Sequence, residues 1–422
     1  MAEIIPFKGV LYNPQKVDIS SVTAPPYDIV TPEFKEVLYT RSPYNIIRID
    51  FGKDNAGDNE KENRYTRAAK LINKWLKSKI FIKDSKPSFY CYEADYEVNG
   101  RRKTLRGFLG AVKLENLGTG KIHPHEMTYS KPKTDRLNIL RFCEANISPI
   151  FSLYCSGERL TSSILERVVK EKPYIEAENG DGFSHKLWQI SDKTSVETIK
   201  KELSDKDIFI ADGHHRYETS LEFKNEMTEK GMHNTGKEPF NYVMMFLVNM
   251  EDDGLTILPT HRLTKIGKSK SIKDVLKKYF DIETIRSDRA TEEKAKQDMF
   301  RAMQRGKHSF GMFVKGEKAF HVLRFKGSYS AIDSHPGLRK IDVSILHNLI
   351  FDKLLHINEF EYEMDSNLVI RKLKKSNFHA AFFLNPTKVH EVKAVSLAGQ
   401  RMPPKSTYFY PKLLTGMVIY KF

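Results

Sequence analysis

The chain has 422 residues, a formal charge of +15 and 40% hydrophobic residues. This is the composition of a folded globular protein with length for two or three domains of roughly 100–200 residues each. No run of about 18 apolar residues occurs, "MAEIIPFKGVLYNPQKV" lacks the charged and apolar parts of a secretory signal, and Cys91, Cys143 and Cys155 form no CxxC pair. The expectation is therefore a cytoplasmic protein with reduced thiols, no disulfide framework and no membrane span. The excess of Lys and Arg attracts polyanions, whether nucleic acid, nucleotides or phosphorylated metabolites. It is scattered over "RRK" at 101–103, "KSKSIKDVLKK" at 268–278 and "RKLKKS" at 371–376, with no dominant run.

"PEFKEVLYTR" and "ENRYTRAAKLINKWLKSK" carry apolar residues at helical spacing; in the second, Tyr65, Ala68, Ala69, Ile72, Trp75 and Leu76 form one stripe. "SFYCYEADYEV" alternates as a strand, Asn99-Gly100 marks a hairpin turn and "RRKTLRGFLGAVKL" returns. "PKTDRLNILRFCEANISPIFSLYC" reads as helix then strand, and the stretch from His185 to Met227 as strand, helix, strand, turn and helix. "NYVMMFLVNM" is a buried strand. Residues 270–330 read as two helices and a hairpin turning at Gly316, "LRKIDVSILHNLIFDKLL" as a helix, and "HAAFFLNPTKVHEVKAVSLAGQ" as a strand followed by a short helix. No repeat or low-complexity segment appears. The pattern predicts an α+β protein with a mixed sheet and helices. Its expected regions are an N-terminal α+β region over 1–120, a core over 121–265, a small α+β subdomain or insertion over 266–330, and a C-terminal α+β region over 331–422.

The chemistry concentrates in "IFIADGHHRYETSL", residues 208–221. An apolar run fit for a strand near 207–211 meets a helix expected to begin near Arg216. Gly213 between them lets backbone approach a ligand closely. A helix N-terminus offers unpaired N–H groups and partial positive charge, so Gly213, His214, His215 and Arg216 suit an anion such as a phosphate. Asp212 is the odd member, since an acid beside a phosphate needs a metal or a proton to justify it.

"ADGHHR" resembles the signature turn of the ParB and sulfiredoxin superfamily. That resemblance implies binding of nucleotide phosphates by the turn and the following helix. Members of the superfamily hydrolyse CTP, activate a sulfinic acid with ATP, or phosphorylate free serine. Sulfiredoxins carry a catalytic cysteine where this chain has His214, which disfavours sulfinic acid reduction. Across a wider span, "APPYDIV", "HPHEMT", "KTDRLNILRFCEANISPIFSLY", "IADGHHRYETSL", "PTHRL" and "MPPKSTYFYPKL" resemble the domain of unknown function 1015 family, from residue 24 to 413. The resemblance implies cytoplasmic proteins connected with serine metabolism, and a ParB/sulfiredoxin-like nucleotide-binding core plus additional subdomains.

Three further constellations stand out. "KIHPHEMTYSKPKTDR" brings His123, His125 and Glu126 together, followed by Thr128, Ser130, Lys131, Lys133, Asp135 and Arg136. The spacing matches neither HExxH nor a zinc finger, so phosphate contacts fit it better than a metal. In "TAPPYDIV" two prolines stiffen a turn that presents Tyr27 and Asp28. "QRMPPKSTYFYPK" surrounds a Pro-Pro pair with Arg401, Lys405, Ser406, Thr407 and Lys412; "PTHRL" carries His261 and Arg262. No P-loop, GxGxxG, kinase HRD/DFG set or G-x-S-x-G elbow is present.

These readings make the expected protein an enzyme, a phosphotransferase (kinase) that uses ATP or ADP with Mg2+ on a small hydroxylated metabolite. Free L-serine, giving O-phosphoserine, is the named acceptor. Asp212, Glu126 and His214 are the expected catalytic residues, with Asp212 and Glu126 competing as base. Gly213, His215, Arg216, His123, His125 and Lys405 are expected to bind the nucleotide; Tyr27, Asp28, Arg136 and Arg262 the substrate; no residue is assigned to a protein-held metal site. A phosphatase or nucleotide hydrolase at the same site is one alternative. The other is a ParB-like nucleotide-gated DNA-binding regulator, which ranks lower because no helix-turn-helix or concentrated basic helix is found. "PPYDIV", "HPHEMT" and "ADGHHR" are expected to line one cleft.

Overall fold

The computed structural model describes residues 2–128, 130–178, 182–232, 234–266, 272–288 and 290–422; the side chains of residues 130–132, Lys131 among them, and the start of the basic run at 268–271 lie outside the description. The chain forms two compact units. The first takes Met1–Pro124, Thr128–Thr256 and Pro411–Phe422, and the second His125–Met127 and Ile257–Tyr410.

The first unit is built on a nine-stranded mixed sheet. Its spatial order is Ile122–His123, Ile208–Asp212, Ile150–Tyr154, Tyr242–Asn249, Arg101–Lys113, Phe89–Val98, Ser184–Ile190 and Ile175–Glu178, with Ile4–Ile5 also paired to Arg101–Lys113. Two pairings are parallel, 208–212 with 122–123 and 242–249 with 150–154. The expected hairpin is present: Val98 pairs with Arg101, and Asn99 and Gly100 both take positive φ, as a two-residue turn between twisted strands requires. The helix Arg64–Lys77 opens on a capping box between Asn63 and Thr66 and buries Ala68, Ile72 and Trp75, three members of the expected stripe. Phe89, Phe108, Ile150, Ile208, Ile210, Met245 and Leu247 pack with Ile199, Leu203 and Tyr217 into the main core. Each such side chain contributes about 1.5–3 kcal/mol on burial. The helices Ser130–Cys143 and His214–Glu229 pack on each other.

The second unit holds a six-stranded antiparallel sheet in the order Phe280–Arg286, Ala319–Phe325, Ser309–Val314, Ala380–Phe383, His261–Thr264 and Phe360–Glu363. The sequence reading of residues 270–330 missed the strand Phe280–Arg286 between the helices Ile272–Leu276 and Glu292–Arg305. It is an edge strand whose charged, exposed alternate residues dilute the apolar signal. The strands of 266–330 share their sheet with 261–264, 360–363 and 380–383. The single helix expected over 338–355 is also modified. A helical turn over Asp342–Ser344 leads into a wider π-helix, Ile345–Leu355, ended by His356 at φ 52°. Among the described residues no helix is long and apolar enough to cross a membrane.

Candidate functional site

The signature turn joins a strand to a helix, as expected, with both boundaries shifted slightly: the strand is Ile208–Asp212 and the helix His214–Glu229. The strand forms because Ile208, Phe209, Ile210 and Ala211 are all buried. Its last step is irregular. Ile210 pairs with Ser152 but Asp212 with Phe151, so two residues oppose one and the bulge re-aims Asp212. Gly213 follows at φ +94°, in the left-handed region. A Cβ on Gly213 would also lie 2.9 Å from the Nε and Nη2 atoms of Arg216. The glycine is thus required by backbone conformation and by the guanidinium packed on it. The 16-residue helix then begins at once, with no acidic side chain in its first turn to offset its positive end. His214 is buried there and His215 half-buried.

Among the described residues two cations hold Asp212. Lys412 Nζ donates to its Oδ1 at 2.9 Å and Arg216 Nη2 to its Oδ2 at 3.0 Å. Arg216 Nη1 also donates to Ser148 Oγ at 3.2 Å and to the Pro149 carbonyl. Arg216 therefore ties the turn to the start of the strand Ile150–Tyr154. Lys412 is absent from the residues expected at this turn. It comes from 200 positions away, and only chain closure places it beside Asp212.

A second charged cluster stands in the same unit. Arg136 Nη1 donates to Asp50 Oδ1 at 2.7 Å, its Nη2 to the Asp50 carbonyl at 2.7 Å, and its Nε to Asp135 Oδ2 at 2.8 Å. Arg64 Nη2 and the Tyr65 hydroxyl donate to Asp135 from outside, at 2.5 and 3.0 Å. The Tyr27 ring lies 3.9 Å from the Arg136 guanidinium. Burial pushes the Tyr27 hydroxyl up to about 12 against the pull of Arg136. Burial likewise raises the Asp50 carboxyl, because Arg136 reaches only one of its oxygens while Oδ2 has no partner. Desolvation works against the Arg136 charge, yet Asp50 and Asp135 outweigh it and hold the guanidinium above the usual arginine range. Arg136, expected as a substrate contact, is 4% exposed and fully engaged here, whereas Asp28 is exposed. Asp50 was missed because "IRIDFG" carries no motif.

The "HPHEMT" segment is divided between the units. In the first, His123 pairs with Phe209 of the turn strand, stacks on its ring at 5.4 Å and places Nε2 2.8 Å from Asp207 Oδ1. It stands three residues, roughly 10 Å of strand, before the turn. Thr128 Oγ1 donates to Glu218 on the turn helix at 2.7 Å, and Lys133 pairs with the same carboxylate.

In the second unit His125 is fully buried, with Nε2 2.9 Å from Thr407 Oγ1. Glu126 Oε1 accepts the backbone N–H of Lys405 at 2.8 Å, and Lys405, exposed, has φ +60°. Arg262 Nη2 donates to the Lys405 carbonyl at 3.0 Å, its Nε to His347 Nε2 at 3.3 Å and its Nη1 to the Thr260 carbonyl. The backbone on both sides of the Lys405 Cα is thus held, its N–H by Glu126 and its carbonyl by Arg262. Among the described residues no group of three His, Cys, Asp or Glu side chains gathers to hold a metal.

The chain belongs to the DUF1015 family, described as a protein of unknown function, whose model matches residues 4–344. No curated protein matches the sequence. Among solved structures, a free serine kinase in complex with AMP is 16% identical over 70% of this chain and 92% of that chain, with a TM-score of 0.32. A conserved hypothetical protein from Pyrococcus furiosus is 15% identical over the same shares, with a TM-score of 0.32. SbnI with a C-terminal truncation, from Staphylococcus aureus, is 11% identical over 73% of this chain and 85% of that chain, with a TM-score of 0.35. Superpositions at these scores do not define a shared fold.

Proposed function

We propose that the Asp212–Arg216 turn, within a ParB/sulfiredoxin-like core, binds the phosphates of ATP or ADP and transfers phosphate to a small hydroxylated metabolite in the cytoplasm, with free L-serine as the named acceptor. One observation supports this most: a long helix with no acid in its first turn starts at a left-handed glycine, directly beside a carboxylate held by two cations. Helix N-termini of this kind bind phosphate through backbone N–H groups. A phosphate in the turn competes with Asp212 for Lys412 and Arg216. As these cations move to the phosphate, Asp212 is released to accept the proton of the acceptor hydroxyl while its oxygen attacks the terminal phosphorus and the nucleotide leaves. Water in place of the hydroxyl gives hydrolysis by the same geometry.

Mg2+ is held in such sites by one or two carboxylates and the substrate phosphates. Asp212 is the one carboxylate at this turn, so the nucleotide would supply most of the ligands. Mg2+ would neutralise charge on the phosphates. His214 and His215 stand at the helix start to contact them.

A thermal-shift panel of ATP, ADP, CTP and GTP, with and without Mg2+, followed by turnover with serine, tests the reading. Saturation at 100 times Kd stabilises by about 2.7 kcal/mol. Arg216→Ala should weaken nucleotide binding roughly tenfold to a hundredfold. With Asp212 as the base, Asp212→Asn should abolish turnover with little change in affinity; with Asp212 as a Mg2+ ligand, affinity and turnover should fall together and excess Mg2+ should partly restore both, and Glu126→Gln should leave turnover intact in either case. A panel in which no nucleotide shifts the melting temperature sinks the proposal.

A further inference from the structure

Beneath the turn lies a cavity of about 30 Å3 lined by Asp50, Arg136, Asn146, Ser148, Arg216, Thr219 and Ser220 among apolar residues. One water needs about 10–15 Å3, so there is room for at least one. The lining carries an unmet demand. Asp50 is 1% exposed and its Oδ2 has no hydrogen-bond partner. An orphan carboxylate oxygen in a dry cavity is expensive, and two arginines on the walls make a metal cation a poor filler.

The remaining groups suit a water. Ser148 Oγ accepts from Arg216 Nη1 and keeps its own proton to donate. Asn146 Oδ1 accepts from the Met244 N–H, and its Nδ2 remains a donor. Thr219 and Ser220 spend their hydroxyl protons on helix carbonyls, those of His215 and Arg216. Two donors, Ser148 Oγ and Asn146 Nδ2, with Asp50 Oδ2 as acceptor match the three hydrogen bonds usual for a buried water.

We propose that an ordered water in this cavity donates to Asp50 Oδ2 and accepts from Ser148 Oγ, so that Asp50 is wired through Ser148 to Arg216. Asp50 and Ser148 are then positioning residues: they fix the guanidinium that holds Asp212, and contact no ligand themselves. Hydrogen-bond chains of this kind polarise one another. The functional part rests on the reading of the turn as a phosphate site; the water does not.

The two parts are tested separately. A high-resolution crystal structure should show density within hydrogen-bonding distance of Asp50 Oδ2 and Ser148 Oγ; an empty cavity overturns the proposal. Without nucleotide, Asp50→Asn, Ser148→Ala and the double variant should give melting-temperature losses that fail to add, although the two side chains do not touch. Additive losses overturn it. If Asp50→Asn does not fold, Ser148→Ala against Ser148→Thr carries the test, the hydroxyl of threonine restoring the loss. For the phosphate site, Ser148→Ala should raise the nucleotide KM about threefold to tenfold with kcat nearly unchanged. An unchanged KM in a variant that has lost the water rejects the positioning role while leaving the water in place.

Discussion

Among the described residues each unit buries one arginine, and the two are housed in opposite ways. Arg136 in the first unit is 4% exposed and shared by two carboxylates, Asp50 and Asp135. Arg262 in the second is fully buried, and among the described residues no carboxylate lies within ion-pair distance of it. Its partners are two backbone carbonyls and a neutral imidazole. Burial pulls its guanidinium down to about 10, against the field of Tyr362 and Glu126. The same burial, with Arg262 nearby, keeps His261 and His347 neutral by pulling both to about 3. A neutral His347 is what lets its Nε2 accept from Arg262. One unit thus cancels charge with charge, and the other distributes it over dipoles, which fixes the Lys405 peptide in a left-handed conformation.

The largest contrast should come from removing each guanidinium. Arg136→Met leaves the Asp50 carboxylate unpaired in the interior, while Asp135 keeps Arg64 and Tyr65, and should cost about 3–5 kcal/mol. Arg262→Met strands only neutral acceptors and removes a buried charge, so about 1–3 kcal/mol is expected. Urea midpoints decide this, and equal losses would break the comparison. Next, Gly213→Ala should cost about 1–2 kcal/mol from its left-handed backbone alone. It should also weaken nucleotide binding, because the new Cβ displaces Arg216.

Acid titration gives a smaller and more gradual difference. His261 and His347, at about 3, lie in the second unit, and His185, at about 4, in the first. For a histidine depressed in the fold, the unfolded chain binds the extra proton. Its contribution is therefore complete above about pH 6.5 and is lost as pH falls toward 4 and then 3. Asp50 acts with the opposite sign: its raised folded pKa favours the native state as it protonates. The second unit should lose stability first. Trp75 and Trp188, the two tryptophans of the chain, both belong to the first unit. Their fluorescence should hold while amides of the antiparallel sheet lose hydrogen-exchange protection on acidification. Simultaneous loss would remove the distinction.

Local order was legible in the sequence wherever one segment carries its own cause. Apolar alternation and Asn99-Gly100 define the long hairpin, and the Asn63–Lys77 stretch holds its cap and its apolar stripe. The run from Ile208 to Glu229 contains the strand, the glycine and the helix start. A strand with charged alternate residues, Phe280–Arg286, and a helix wound as π over Ile345–Leu355 were not legible, since edge pairing and helix winding depend on what packs alongside.

The partners of the candidate site were decided by tertiary structure alone. The sequence determined that Asp212, Gly213 and Arg216 sit together at a helix start, because neighbours in the chain stay neighbours in space. It could not determine that Lys412 holds Asp212 from 200 positions away, that Asp50 holds Arg136 from 86, or that Arg216 reaches Ser148 rather than open solvent. Ion pairs act over a few ångströms and are indifferent to sequence separation. Which charges meet is therefore fixed only when the sheet order brings their strands and helices side by side.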